Sequence, residues 1–292
     1  MNVVRASLAC SMLLLGSAAA QELRTPEVAN RKLSDTASGA VWDYHLTGPP
    51  GVEPYGPSDW HLGYPDCGLL RQSPVNLALD FEEIVPNTDF VVEFFPHSCD
   101  STELGFNADN AVWQVLFENC TTQPFLRFQG YRYNLLQIHI HSPSEHMIGG
   151  AAHAAEIHFV HLRAGTTDEL LVVGVLLDVS DYGSNLEIDN LWKVLGVTSG
   201  EGTTTERFVA RVYDLLPQNP GFSFYRGSLT TPPCTQGVRW LVMNEITLMG
   251  RKQLDAFRDA VAAFPLSKVD EFGNTNRPFQ SLNGRPLYYV TY

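Results

Sequence analysis

The stretch Gln137 to His146 reads QIHIHSPSEH, and it holds three of the nine histidines in a chain of 292 residues. Its first five residues alternate polar and apolar. In an extended chain successive side chains point to opposite faces, so Gln137, His139 and His141 share one face while Ile138 and Ile140 share the other. Isoleucines on one side and imidazoles on the other describe a strand with a core face and a face that carries chemistry.

A second stretch, Ala155 to His161, reads AEIHFVH and repeats the scheme. Glu156, His158 and Val160 fall together, opposite Ile157, Phe159 and His161. If the two strands are neighbours, His139, His141 and His158 converge on one point. Three imidazoles with a fourth position left open suit a catalytic Zn2+ site, because a structural zinc is normally closed by a fourth protein ligand. A metal-bound histidine usually donates its other N–H to a fixed acceptor. Gln137 and Glu156, each two residues from a ligand and on its face, suit that task. A lone histidine would be read as core or surface; H-x-H and E-x-H in register are read as a metal centre. His45, His61, His97, His146, His153 and His161 receive no ligand role.

Outward from these strands the pattern stays β-rich. Strand-like runs occupy 90–95, 112–117, 134–141, 155–162, 170–179, 238–245 and 287–292. Helical spacing is clear in RKQLDAFRDAVAAF, where Leu254, Phe257, Val261 and Phe264 recur every three or four residues, and again at Phe208, Val212 and Leu215. From Trp42 to Asn76 the chain is rich in Gly, Pro and aromatic residues, which predicts irregular structure laid over a core.

Composition sets the class. Hydrophobic residues make up 44% and charged residues 17%, as in a soluble globular protein. The net charge of −13 disfavours nucleic acid and anionic lipid as partners. Residues 1–20, MNVVRASLACSMLLLGSAAA, place Arg5 before a short apolar run and an Ala-Ala-Ala exit, the layout of a secretory signal. The run is too short to span a membrane. The expected organisation is therefore a signal at 1–20, a polar leader at 21–40 and one domain at 41–292, with secretion to an extracellular or periplasmic compartment and no transmembrane segment in the mature chain.

Beyond the signal four cysteines remain: Cys67, Cys99, Cys120 and Cys234. An even count in a secreted chain suggests two disulfides, and four cysteines allow three pairings. Cys99 and Cys120 are close enough in sequence to close a small loop, which would leave Cys67 for Cys234. The sequon at Asn119 permits N-glycosylation.

Four segments in this order, RQSPVNL (71–77), QIHIHSPSEH (137–146), AEIHFVH (155–161) and GSLTTPPCTQGVRW (227–240), together with NRPFQSLNGR (276–285), resemble the α-class carbonic anhydrases of the secreted type. The resemblance runs from about Trp42 to the C-terminus. It implies an α+β, β-dominated single domain, built around a large twisted, mostly antiparallel central β-sheet with a few peripheral helices. It also implies reversible hydration of carbon dioxide to bicarbonate and a proton.

Roles for residues follow from the same likeness. His139, His141 and His158 would bind Zn2+, with Gln137, Glu156 and His146 around them. Thr230 would accept a hydrogen bond from zinc-bound hydroxide and donate its own to Glu145. Val160, Val172, Leu229, Val238 and Trp240 would form the apolar wall for carbon dioxide, and Thr231 and Tyr44 would line the wetter side. Cys67 and Cys234 sit where extracellular members carry a disulfide. One departure stands out: many members carry a proton-shuttling histidine where this chain has Ala111. Proton transfer would then pass through water to buffer, since no imidazole of suitable pKa stands there.

Two other readings use the same residues. H-x-H-x-x-x-E, as in His139, His141 and Glu145, also resembles the first metal motif of cupins, although no second cupin motif follows. A non-catalytic binding module on the carbonic anhydrase fold is the other, although such relatives usually lose zinc histidines and this chain keeps all three.

Overall fold

The structure, a computed structural model, describes residues 41–46, 48–77, 84–85, 90–96, 103–107, 112–117, 120, 122–194, 212–218, 221–263 and 268–291. Its strands are β1 (Asn76–Leu77), β2 (Ile84–Val85), β3 (Val92–Phe95), β4 (Glu103–Asn107), β5 (Val112–Leu116), β6 (Phe125–Phe128), β7 (Tyr131–His141), β8 (Met147–Ile148), β9 (Ala151–Ala152), β10 (Ala155–Arg163), β11 (Leu170–Ser180), β12 (Phe222–Ser228), β13 (Gln236–Met243), β14 (Thr247–Gly250) and β15 (Tyr288–Val290). Among the described residues three α-helices accompany them: α1 (Trp60–Gly63), α2 (Leu186–Val194) and α3 (Arg251–Ala263).

Twelve strands form one mixed sheet along the path β2-β15-β12-β13-β11-β10-β7-β5-β4, with β6 also paired to β7, β3 to β6 and β14 to β11. Most pairs are antiparallel; β11 runs parallel to both β13 and β14, and β15 to β2. The small sheet β1-β8-β9 stands apart.

The central strands explain the sheet's two faces. Along β10, Ile157 and Phe159 join Ile138, Ile140, Val173, Val175 and Leu241 in the main core. Helices α2 and α3 close that core: Leu254, Phe257 and Val261 are buried at helical spacing, and Trp192 stacks on Phe257 at 5.2 Å between ring centroids. The opposite face carries the histidines and a second apolar cluster that includes Val160, Val172, Leu176, Val238 and Trp240. A bulge opposite Val160 and His161 lets Leu136 join that second cluster beside Gln137, while Leu135 stays in the main core.

The predicted strands and the α3 stripe match the structure. Three differences are informative. The stretch from Trp42 to Asn76 is not wholly irregular: it holds α1 and a 3-10 turn at Pro65–Gly68, under which Trp42, Tyr44 and Trp60 pack edge to face. Val212 to Leu215 form a 3-10 turn, not a stretch of α-helix. Finally β4, β6, β12, β14, α2 and the two-residue strands β1, β2, β8 and β9 fall outside the expected runs. Asn185 caps α2 through its side-chain oxygen, which accepts the N–H groups of Glu187 and Ile188. His97, Cys99, Ala111, Asn119, Phe208 and Phe264, the proposed signal and the proposed leader lie outside the described residues.

Candidate metal centre

Strand pairing brings the three histidines together. His158 on β10 is the direct partner of His139 on β7, and Glu156 is the partner of His141. The three rings lie with centroids 4.9 to 5.0 Å apart. Their approaching nitrogens are within 4.8 Å of one another, a group able to hold a metal ion.

The outer nitrogens identify the inner ones. His139 Nδ1 is 2.7 Å from Gln137 Oε1, His141 Nδ1 donates to the carbonyl of Thr275 at 2.5 Å, and His158 Nε2 is 2.9 Å from Glu156 Oε1. All three acceptors are oxygens that cannot donate, so each outer nitrogen carries the ring proton. His139 Nε2, His141 Nε2 and His158 Nδ1 are left as lone pairs facing one another, the first and third only 3.1 Å apart. His141 Nε2 is buried with no hydrogen-bond partner, and so is Glu145 Oε2, which lies 3.6 Å from it and 3.9 Å from His158 Nδ1. Converging lone pairs beside a buried carboxylate oxygen are costly unless a cation fills the space between them. The donor set of three imidazoles with one open side fits zinc.

Electrostatics sort the imidazoles. Burial pushes His139 well below its ordinary value, and neighbouring His141 and His158 add to the effect. Burial also lowers His141, with partial opposition from Glu145. Burial pulls on His158 too, but the Glu156 carboxylate outweighs it and holds that ring above its usual value. Burial alone would raise Glu156; His146 and His158 beside it hold the carboxyl well below the usual range.

Glu156 is the hub of the surroundings. Oε1 also meets His146 Nδ1 at 2.7 Å, and Oε2 accepts the backbone N–H groups of Glu145 and His146 at 2.9 and 2.8 Å. His146 Nε2 then reaches the Tyr225 hydroxyl at 2.7 Å, which donates to Ser73 Oγ.

The open side of the histidines faces a cavity of about 40 Å³ lined by Val160, Val172, Leu229, Thr230, Thr231 and Trp240. One water needs roughly 10–15 Å³, so the space suits a very small molecule. Val238 packs behind this wall in the same apolar cluster. Two expectations meet a different geometry. Thr230 and Glu145 share no hydrogen bond; Glu145 Oε1 accepts the backbone N–H of Arg277 at 2.9 Å instead. Tyr44 is 1% exposed within the aromatic cluster and does not line the cavity. Glu145, the third ligand of a cupin-type reading, belongs to neither of the side-chain groups that could hold a metal, His139, His141 and His158 or His146, Glu156 and His158.

Sequence reasoning missed Thr275 and Arg277, which act through a backbone carbonyl and a backbone N–H. Cys67 and Cys234 are joined in a disulfide across 167 residues of sequence. Cys120 is also disulfide-bonded.

Comparison with known proteins agrees with this geometry. The family model described as eukaryotic-type carbonic anhydrase matches residues 55–291. The alpha carbonic anhydrase 3 of Arabidopsis thaliana is 30% identical over 241 residues, covering 79% of this chain and 77% of the relative. An alpha-carbonic anhydrase from Thermovibrio ammonificans, solved with the inhibitor sulfanilamide, superposes with a TM-score of 0.67 at 30% identity over 86% of this chain and 99% of that one. A dioscorin solved with ascorbate, at 23% identity and a TM-score of 0.69 over 86% of this chain and 98% of the other, shares the fold alone. With a family model matched across most of the domain and the same architecture in solved relatives, the chain belongs to the eukaryotic-type, or alpha, carbonic anhydrase family.

Proposed function

We propose that this chain is a zinc-dependent enzyme that hydrates carbon dioxide reversibly to bicarbonate and a proton. The observation that carries the reading is the convergence of His139 Nε2, His141 Nε2 and His158 Nδ1, with every outer nitrogen tied to an oxygen, at the floor of a small apolar cavity. Zinc held by these three nitrogens would supply a Lewis acid that ionises its water near neutrality, at about pH 7 in carbonic anhydrases.

The chain's own residues do the rest. Gln137, Thr275 and Glu156 each hold an outer ring proton and so aim the other nitrogen of each imidazole inward, and His146 braces Glu156 from the side away from the metal. Glu145 Oε2, buried and unpartnered, is the acceptor open to the Thr230 hydroxyl. The two share no hydrogen bond in the structure; a Thr230 hydroxyl turned to this oxygen would leave Oγ1 able only to accept, and would so orient a donor in the cavity with a lone pair toward the substrate. Val160, Val172, Leu229 and Trp240 hold carbon dioxide through dispersion, which is nearly all an apolar linear molecule offers. Thr231 supplies a polar edge for the departing bicarbonate. With alanine at position 111, the released proton passes through water to a buffer base, so turnover rises with imidazole-type buffer.

We also infer secretion, which the signal-like residues 1–20 and the Cys67–Cys234 disulfide support. Among the described residues no helix is long and apolar enough to cross a membrane.

Stopped-flow hydration by zinc-loaded wild type and His141→Ala, with and without an aromatic sulfonamide, tests the proposal. Inhibitable turnover that disappears in the variant is expected. Zinc-replete wild type without sulfonamide-sensitive hydration would leave a non-catalytic binding module as the reading, and bound iron or manganese in place of zinc would reopen the metal assignment.

A further inference from the structure

A larger cavity lies away from the histidines. It encloses about 490 Å³ between the N-terminal lobe and the closing segment of the chain, within the roughly 300–1,000 Å³ typical of small-molecule sites. Leu46, Leu69 and Leu70 form apolar walls, and they are 53%, 46% and 71% exposed.

Arg277 lines the same cavity and is 2% exposed. Its Nη1 donates to Gln72 Oε1 and the Ser73 carbonyl, and Nη2 to the Cys67 carbonyl, while Nε is buried without a partner. The partners of the guanidinium are thus neutral: three oxygens and the Trp60 ring, whose centroid lies 5.3 Å from Arg277 Cζ. Glu145, the carboxylate that offsets its charge, bonds to the backbone N–H and not to the guanidinium. In a chain with 32 acidic residues, no aspartate or glutamate among the described residues lines the cavity. Around Arg277 the rim offers further hydrogen-bonding groups, among them His61, Ser281 and Asn283.

From this combination, a buried cation without a carboxylate partner beneath an apolar rim, we infer that the groove is a binding site for a small amphipathic carboxylate, its anionic end directed toward Arg277 and its apolar body against Leu46, Leu69 and Leu70. The site is separate from the metal cavity: among the described residues the two share no lining residue. Yet Arg277 belongs to both neighbourhoods, since its N–H holds Glu145. Occupancy would therefore be felt at the carboxylate beside the histidines.

Calorimetry with phenylbutyrate tests this, using zinc-loaded protein saturated with an aromatic sulfonamide so that the carboxylate cannot reach the metal cavity. The neutral analogue phenylbutanol serves as control. Two groove variants accompany wild type: Leu70→Glu, which sets a negative charge on a mostly exposed wall residue, and Ser281→Trp, which fills the space. Phenylbutyrate should bind wild type in the millimolar range or tighter, and phenylbutanol and both variants should show affinity at least about tenfold weaker. No binding of phenylbutyrate, equal binding of acid and alcohol, or unchanged affinity in both variants would overturn the inference. Dependence on Leu70 and Ser281 is read in the groove itself, so a failure of the zinc assignment leaves this test intact.

Discussion

Glu156 Oε1 lies 2.9 Å from His158 Nε2, and this contact decides which nitrogen of the histidine faces its neighbours. The same carboxylate meets His146 Nδ1 and the backbone N–H groups of residues 145 and 146, four donors on two oxygens. An amide has one accepting oxygen and an NH2 that must donate. Glu156→Gln keeps the shape but turns donors against donors, whichever way the amide is flipped. Zinc affinity should fall by about 10- to 100-fold, as measured by competition with a chromophoric chelator. Retention of wild-type affinity would show that His158 is oriented by something else.

Gly174 on β11 is paired directly with His158. A Cβ built there would stand 2.7 Å from Glu156 Oε1, inside any normal contact. The end of a glutamate can often swing aside, but this one is fully buried and held by four donors. Gly174→Ala should therefore cost about 1–3 kcal/mol of stability and weaken zinc binding in parallel. Thermal unfolding with and without zinc measures both. An alanine variant with wild-type melting and wild-type zinc response would mean that the carboxylate relaxes freely.

How much of this could be read from sequence follows from which atoms each feature uses. The imidazole faces of β7 and β10 were legible because side-chain identity alternates with the strand period, with isoleucine or phenylalanine opposite each ligand. β12 was not, because Phe222, Ser223, Phe224 and Tyr225 are all buried and both faces of that strand are covered, so no polar face marks the period. Thr275 and Arg277 reach the site through a carbonyl and an N–H that every residue but proline carries. Side-chain identity cannot announce a backbone contact. The link from Glu145 to Arg277 rather than to Thr230 rests on chain folding over more than a hundred residues.

The disulfide ties two parts of this frame. Cys67 and Cys234 are 167 residues apart, and their carbonyls accept from Arg277 Nη2 and Gln72 Nε2 respectively. Cross-linking so long a loop chiefly restricts the unfolded chain, and losing it should cost about 2–5 kcal/mol. Dithiothreitol should lower the denaturant midpoint of wild type, and the Cys67→Ala/Cys234→Ala protein should begin at that lower midpoint. Its response to reductant should be correspondingly smaller. Equal midpoints for wild type and the double variant under oxidising conditions would count against a stabilising bond.

His161 gives the fold an acid-sensitive point away from the metal. It is fully buried, with Nδ1 donating to the Phe159 carbonyl at 2.8 Å, Nε2 3.0 Å from the Tyr213 hydroxyl, and its ring stacked on Tyr213. Burial pushes its pKa from 6.5 down to about 3, against a smaller opposing effect of the backbone hydrogen bonds. Between those values the unfolded chain binds a proton that the native one refuses, so stability falls as pH drops below 6.5 and the loss is complete near pH 3. The slope from this one group approaches about 1.4 kcal/mol per pH unit. Above pH 6.5 it contributes no slope. In metal-free protein, His161→Gln should lower stability by a constant amount at pH 8 and then lose it less steeply than wild type between about pH 6 and pH 4. Stability curves from urea titrations that stay parallel through this window would place the acid sensitivity elsewhere, whereas curves that converge would assign it to this buried imidazole.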